Sequence, residues 1–279
     1  VSDLNGVVEQ IARIGAEMTG AIDRGFGGGW SENEEILALL EIILSGGTTT
    51  RRIAEVSGLN RRTVSRLVAR LSADGLIAVG TSPADRRVIT VRLSPVGIEA
   101  AERLRVEATD FIIASRSAAA GVVDELTPGR PHTLEPDRSA DPLQLLQRIA
   151  RVGVLLVDRI EGRAGRAHLS GRQRTALIQI GGRPGIRPST LHPALGLSPS
   201  GITYVVGQLS AVGLIRREPG AIPGDRRAIV LEVTPEGDEC IRLIIAAIDA
   251  VRTPLAEVLC DVAAWPGTSL RPAALGPPG

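Results

Sequence analysis

The sequence predicts a mainly α-helical protein with small β-hairpins, laid out twice along one chain. Three observations carry that prediction. Apolar residues recur at helical spacing through most of the chain and change to strict alternation in two short stretches. Those two stretches are near copies: PADRRVITVRLSPVG at 83–97 returns as PGDRRAIVLEVTPEG at 223–237, with seven of fifteen positions identical. The likeness also runs upstream. A shift of 138 aligns QIARIG (10–15) with RIARVG (148–153), Ala38-Leu39 with Ala176-Leu177, Gly58-Leu59 with Gly196-Leu197, and Gly75-Leu76-Ile77 with Gly213-Leu214-Ile215. Past residue 80 the shift becomes 140, so the second copy has gained two residues ahead of its Asp-Arg-Arg. A register held this long, broken once and in a loop, predicts a duplicated domain rather than a solenoid.

The bulk numbers agree with two domains. The chain has 279 residues, 43% apolar and 23% charged, with aromatics at only 2%. Its core must therefore be built from Ile, Leu, Val and Ala. No apolar run approaches the ~20 residues of a membrane span. The start, VSDLNGVVEQIARIG, lacks the basic and apolar regions of a secretion signal, so a cytoplasmic protein is expected. Cys240 and Cys260 fall in one apolar stretch and read as buried small hydrophobes. Net charge is +1, but arginine is clustered: nine against three acids in 51–92, and six against two in 183–227.

The elements follow in order. Leu4, Val7, Val8, Ile11, Ile14, Met18 and Ile22 keep helical spacing, as do Leu145, Ile149, Val152, Leu156 and Ile160. Helices are expected at about 31–45 and 171–182, then short ones at 49–57 and 187–195. Asn60 caps a helix over 60–73 with Val64, Leu67, Val68 and Leu71 as its apolar stripe, and Ser198 with Pro199 opens its counterpart. Gly75 and Gly213 stop these helices. The period then becomes two: Leu76 and Ile77 open a strand, TSPAD turns, and 88–93 returns. Ser94-Pro95 and Thr234-Pro235 start the next helices, about 94–118 and, in the second copy, an apolar stretch at 241–262. Units of 1–120 and 143–265 are expected, joined by a Pro-rich linker at 121–142 and followed by a flexible tail at 266–279.

Two helices joined by a tight turn and followed by a hairpin make a winged helix-turn-helix, with Asp-Arg-Arg at the wing tip. The order of helix, Gly-Leu-Ile, wing Asp-x-Arg, and then Leu-Ser or Val-Thr with a glycine three positions on resembles the MarR family of bacterial transcription regulators. The residues are Asp85, Arg87, Leu93, Ser94 and Gly97, and again Asp225, Arg227, Val233, Thr234 and Gly237. The resemblance implies a double-stranded DNA-binding regulator, a repressor, responsive to a small-molecule effector between a helical base and the winged lobes. Family members are single-unit chains that dimerise. The fused copies therefore imply an intrachain pseudo-dimer, monomeric in solution, with the apolar stretches 4–22, 143–160 and 241–262 packed as one pseudo-two-fold base. Its lobes would meet successive major grooves roughly 34 Å apart.

Helix 60–73 carries Arg61, Arg62, Ser65, Arg66 and Arg70 away from its apolar stripe, where arginine reaches guanine or phosphate. At the wings, Arg86, Arg87, Arg226 and Arg227 are the expected DNA contacts, and Asp85 and Asp225 are expected to hold the hairpin tips. In the second copy Ser200, Thr203, Tyr204 and Gln208 are the expected contacts, on a helix with no formal charge, although Arg216 and Arg217 are added on the incoming strand. The lobes should therefore read DNA unequally. A tandem module that binds protein through its winged helices is the alternative. GFGGGW (25–30) lacks the Lys and Ser/Thr of a phosphate loop and reads as a flexible link. His132, His168 and His192 are scattered without ligand spacing, so no metal, cofactor or catalytic role is expected.

Overall fold

The computed structural model describes residues 2–30, 32–82, 85–128, 141–164, 169–191, 195, 197–219 and 229–266. The first half runs α1 (Ser2–Phe26), α2 (Asn33–Leu44), β1 (Thr48–Thr49), α3 (Thr50–Ser57), α4 (Arg61–Ala73), β2 (Ile77–Thr81), β3 (Ile89–Leu93) and α5 (Pro95–Leu126). The second half runs α6 (Pro142–Ala164), α7 (Gly171–Gly182), a 3-10 turn at Pro188–Leu191, α8 (Pro199–Ala211), β4 (Ile215–Pro219), β5 (Ile229–Val233), α9 (Pro235–Ala250) and α10 (Arg252–Ala264).

Local chemistry sets the winged lobes alike. The Asn60 side chain accepts from the Thr63 N–H at 3.0 Å, and Ser198 Oγ accepts from the Gly201 N–H at 3.3 Å, so each second helix of the pair is capped. Gly75 (φ 71°) and Gly213 (φ 76°) end those helices in the left-handed region. Ser94 Oγ donates to the Gly75 carbonyl at 2.6 Å while accepting from the Gly97 N–H at 3.0 Å. Thr234 repeats both bonds, to Gly213 at 2.7 Å and from Gly237 at 3.1 Å. One hydroxyl thus ties the helix stop to the next helix start. A Cβ on Gly97 would collide with the Leu76 carbonyl oxygen, and one on Gly237 with that of Leu214, so both positions require glycine for close approach.

The base is built by exchange between the halves. α1 packs along α5 within the first half, and Gly25 permits the contact: a Cβ there would come within 2.6 Å of Leu104 Cα. Across the halves, α1 meets α7, α2 meets α6, and α5 packs against α10. The first helix of each half therefore contacts the second helix of the other. Across the halves Arg252 donates to the Leu126 carbonyl at 3.1 Å and Arg116 to the Ala263 carbonyl at 3.3 Å, while within the second half Arg148 pairs with Asp261 at 2.5 Å. One continuous apolar core joins the first lobe to this base, including Ile36, Leu39, Ile53, Leu71, Leu104, Ile112, Leu143, Ile248 and Leu259. The second lobe has a core of its own, around Leu177, Ile180, Val206, Leu209 and Leu231.

Several sequence expectations are corrected. The first lobe has a third strand, β1, paired to β3 through Thr48–Val91 and Thr49–Thr90; in the second lobe only an isolated bridge between Ile186 and Leu231 takes its place. Of the short helix expected at 187–195, Pro188–Leu191 forms a 3-10 turn and Leu195 is helical, while 192–194 lie outside the described residues. The apolar stretch at 241–262 is two helices, broken at Val251 ahead of Pro254. Helix α5 continues to Leu126 with Val122 and Val123 buried, so residues 121–126 belong to the base rather than to a linker. GFGGGW is a packed closure: Phe26 ends α1, Gly27 (φ 91°) and Gly29 (φ 105°) turn, and Trp30 is 3% exposed against Phe26. Residues 129–140 of the linker, most of the tail, the three histidines and the second wing tip lie outside the described residues. The two cysteines are partly buried against the core, and burial pushes the Cys260 thiol up, in keeping with a small hydrophobe.

Candidate nucleic-acid interface

Helix α4 buries Val64, Leu67, Val68 and Leu71 and turns its remaining face outward. Arg61, Arg62, Ser65 and Arg66 are exposed on that face, and no carboxylate lies within ion-pair range of the three arginines among the described residues. Arg66 leans on Thr63 Oγ1 at 3.4 Å, and Ser65 Oγ donates to the Arg61 carbonyl at 2.9 Å. Three guanidinium groups on one exposed helix face, without internal counter-charge, form a surface suited to an anionic partner.

Arg70 differs from these three. Its guanidinium reaches Glu35 at 3.4 Å and stacks on the Trp30 ring at 4.8 Å, clamping α4 to α2. Expected among the DNA contacts, it stays exposed and also bridges the helix pair. At the wing tip Arg86 and Arg87 are exposed, and Asp85 is positioned to hold the turn. Its carboxylate accepts from the Arg87 N–H at 2.9 Å and its carbonyl from the Val88 N–H at 2.9 Å. The aspartate therefore shapes the tip through the backbone and leaves both arginine side chains directed elsewhere.

The second lobe presents a different surface. Ser200, Thr203 and Tyr204 are exposed on α8, and Gln208 is half-buried. Ser200 Oγ is bonded to Ser198 Oγ at 2.9 Å, and Thr203 Oγ1 donates to the Pro199 carbonyl at 2.9 Å, so both hydroxyls already have partners on their own helix end. Gln208 donates to Tyr204 Oη at 2.7 Å and accepts from Gln173 at 2.7 Å. On β4, Arg216 hydrogen-bonds Glu232 at 2.6 Å and pairs with Glu218 at 3.1 Å, and these partners raise its pKa above the ordinary arginine value. Only Arg217 of that strand is left without an ion pair among the described residues. Asp225, Arg226 and Arg227 lie outside the described residues.

Sequence reading did not find the clamp. Its signal was present, since Glu35 and Arg70 stand 35 residues apart, as do their aligned counterparts Gln173 and Gln208. Among the described residues no group of His, Cys, Asp or Glu could hold a metal ion, and no helix is long and apolar enough to cross a membrane.

A helix-turn-helix followed by a wing makes the first lobe a winged helix-turn-helix domain. Residues 32–88 match the model of the MarR family, a family of transcription regulators. Among solved structures, a crystal structure of MarR is similar at 29% identity over 43% of this chain and 77% of that one, with a TM-score of 0.34. BpsR of Bordetella bronchiseptica, whose DNA binding is regulated by 6-hydroxynicotinic acid, is similar at 20% identity over 41% of this chain and 85% of its own, with a TM-score of 0.32. A mutant MarR from E. coli complexed with operator DNA shares 16% identity over 40% of this chain and 75% of that chain, with a TM-score of 0.33. No curated protein matches the chain.

Proposed function

We propose that the chain is a sequence-specific DNA-binding transcription regulator, a repressor, made of two fused MarR-like winged units that together imitate a dimer. The first lobe reads bases, and the second adds weaker contacts. The observation that carries this reading is the exposed Arg61, Arg62 and Arg66 face on α4, set beside a wing tip with Arg86 and Arg87. The reciprocal packing of α1 on α7 and α6 on α2 supports the pseudo-dimer, since it is the arrangement two exchanged copies would make. The second lobe supplies no charge on α8, so its share of phosphate binding rests on Arg217 and on wing residues 226 and 227.

The test is selection of duplex fragments from a random pool, followed by titration of the best fragment at rising salt. A preferred site that is an imperfect palindrome, with log affinity falling linearly in log salt, is the expected result; each neutralised phosphate adds about −0.9 to the slope. Enrichment of no sequence, together with affinity indifferent to salt, would sink the proposal in favour of a protein-binding module.

A further inference from the structure

The second helices of the two helix pairs present different chemistry at the same positions. By the 138 shift, Arg62 and Arg66 on the outer face of α4 correspond to Ser200 and Tyr204 on α8. α8 buries Ile202, Val205, Val206 and Leu209 and carries no charged residue of its own. Its first two turns, the part of such a helix that meets base edges, present Ser200, Thr203 and Tyr204. We infer that α8 reads thymine, with the Tyr204 ring and the Thr203 methyl set against thymine 5-methyl groups. The operator then joins a guanine-bearing half under α4 to a thymine-bearing half under α8. This rests on the DNA-binding reading above and names what its weaker half recognises.

Tyr204 projects from the helix while its hydroxyl is tethered. The residue is 66% exposed. Gln208 donates to its Oη at 2.7 Å, Gln173 donates to Gln208 at 2.7 Å, and the Ser170 N–H donates to Gln173 Oε1 at 2.7 Å. This chain braces the ring from the start of α7. Both glutamines also line a cavity of about 620 Å³ between the second lobe and the base, whose wall includes Gly15 and Gly171, so on that side hydrogen bonds hold the brace. A ring already held in one pose loses little conformational freedom when it docks.

The polar groups of α8 are engaged within the protein, which leaves apolar surface to do the reading. Thr203 Oγ1 donates to the Pro199 carbonyl and Ser200 Oγ is bonded to Ser198 Oγ. Gln208 uses its carbonyl oxygen and an amide hydrogen in the brace, so the paired donor and acceptor by which an amide reads adenine are not on offer. Guanine is read by a cationic side chain with two donors, and α8 has none. Thymine alone carries a methyl group on its major-groove edge, with the O4 acceptor beside it. The Tyr204 hydroxyl accepts from Gln208, so its own proton can go to that O4. Arg217 of β4 approaches α8 at Gly207, past Tyr204, and is assigned to the phosphates flanking this half.

The test uses the full chain and the duplex selected from the random pool, with binding read by fluorescence anisotropy. The expected site has guanine fixed in one half and thymine in the other, about ten base pairs apart. Replacing the thymines of the second half by deoxyuridine removes only their methyl groups and should weaken binding about threefold to fourfold per contacted base. Tyr204→Phe keeps the ring and should keep that penalty. Thr203→Ser combined with Tyr204→Ala should bind more weakly and lose it. Arg66→Ala, by contrast, should lower affinity and leave the penalty unchanged. Guanine fixed in both halves, a second half without preference, or a full uracil penalty in the Thr203→Ser, Tyr204→Ala variant overturns the inference and leaves the regulator proposal standing. Enrichment of no sequence at all overturns both.

Discussion

The two winged lobes share a plan but differ in what joins the helix pair to the base. In the first lobe a buried Trp30, the Arg70–Glu35 pair and a three-stranded sheet weld the lobe into one core with the base. In the second, a neutral amide pair stands in place of the ion pair, the described sheet has two strands, and the core is separate, with a cavity beside it. Charge follows the same division. Among the described residues Arg61, Arg62 and Arg66 on α4 have no carboxylate in ion-pair range, whereas α8 is uncharged and Arg216 beside it pairs with two glutamates. On the proposed function, the charged first lobe carries the DNA contacts and the neutral second lobe adds fewer.

The largest effect expected from this comparison is on DNA affinity. Arg62→Ala combined with Arg66→Ala should weaken specific binding by on the order of a hundredfold, since each base-reading arginine supplies ~1–3 kcal/mol. Ser200→Ala with Tyr204→Phe removes neutral hydrogen bonds worth ~0.5–1.5 kcal/mol and should cost only a few-fold. Fluorescence anisotropy on the selected duplex measures both, and equal losses would erase the asymmetry.

Stability comes next. Trp30→Ala should destabilise the fold by about 3 kcal/mol or more, as large aromatic deletions from cores do, read as a fall in the urea midpoint. A fall of less than about 1 kcal/mol would mean that the first lobe is no better sealed than the second. Gly97→Ala and Gly237→Ala probe what the lobes share. Each should cost ~1–3 kcal/mol by overpacking against a backbone carbonyl, and a large difference between them would show the wing lock to be unequal.

The smallest effect sharpens the point about charge. Glu35→Gln gives the first lobe half of the neutral pair found in the second, and the partly exposed ion pair is worth only about 0–1 kcal/mol. Thermal unfolding should hardly shift. A fall of several degrees would show that the ion pair itself keeps the first lobe closed.

Much of this was legible in the residues. Caps at Asn60, Ser94, Ser198 and Thr234 act over three residues, and helix stops at Gly75 and Gly213 need only a positive φ, so local chemistry sets them wherever the chain folds. The apolar stripe of α4 likewise told which arginines face out. Arg70 could not be separated from Arg66 in this way, because its partners Glu35 and Trp30 arrive from another helix and a loop. β1 escaped notice for the same reason: two threonines become a strand only when Thr90 and Val91 lie alongside. The cavity at Gly15 and Gly171 also depends on which helix crosses which. By itself the sequence determined the helix ends, the strands of the wings and the arginine clusters, which are set by the residues themselves and their near neighbours. Only the tertiary structure decided which side chains are spent on each other and which face outward, since a charge or a glycine acquires its role from what a distant segment brings against it.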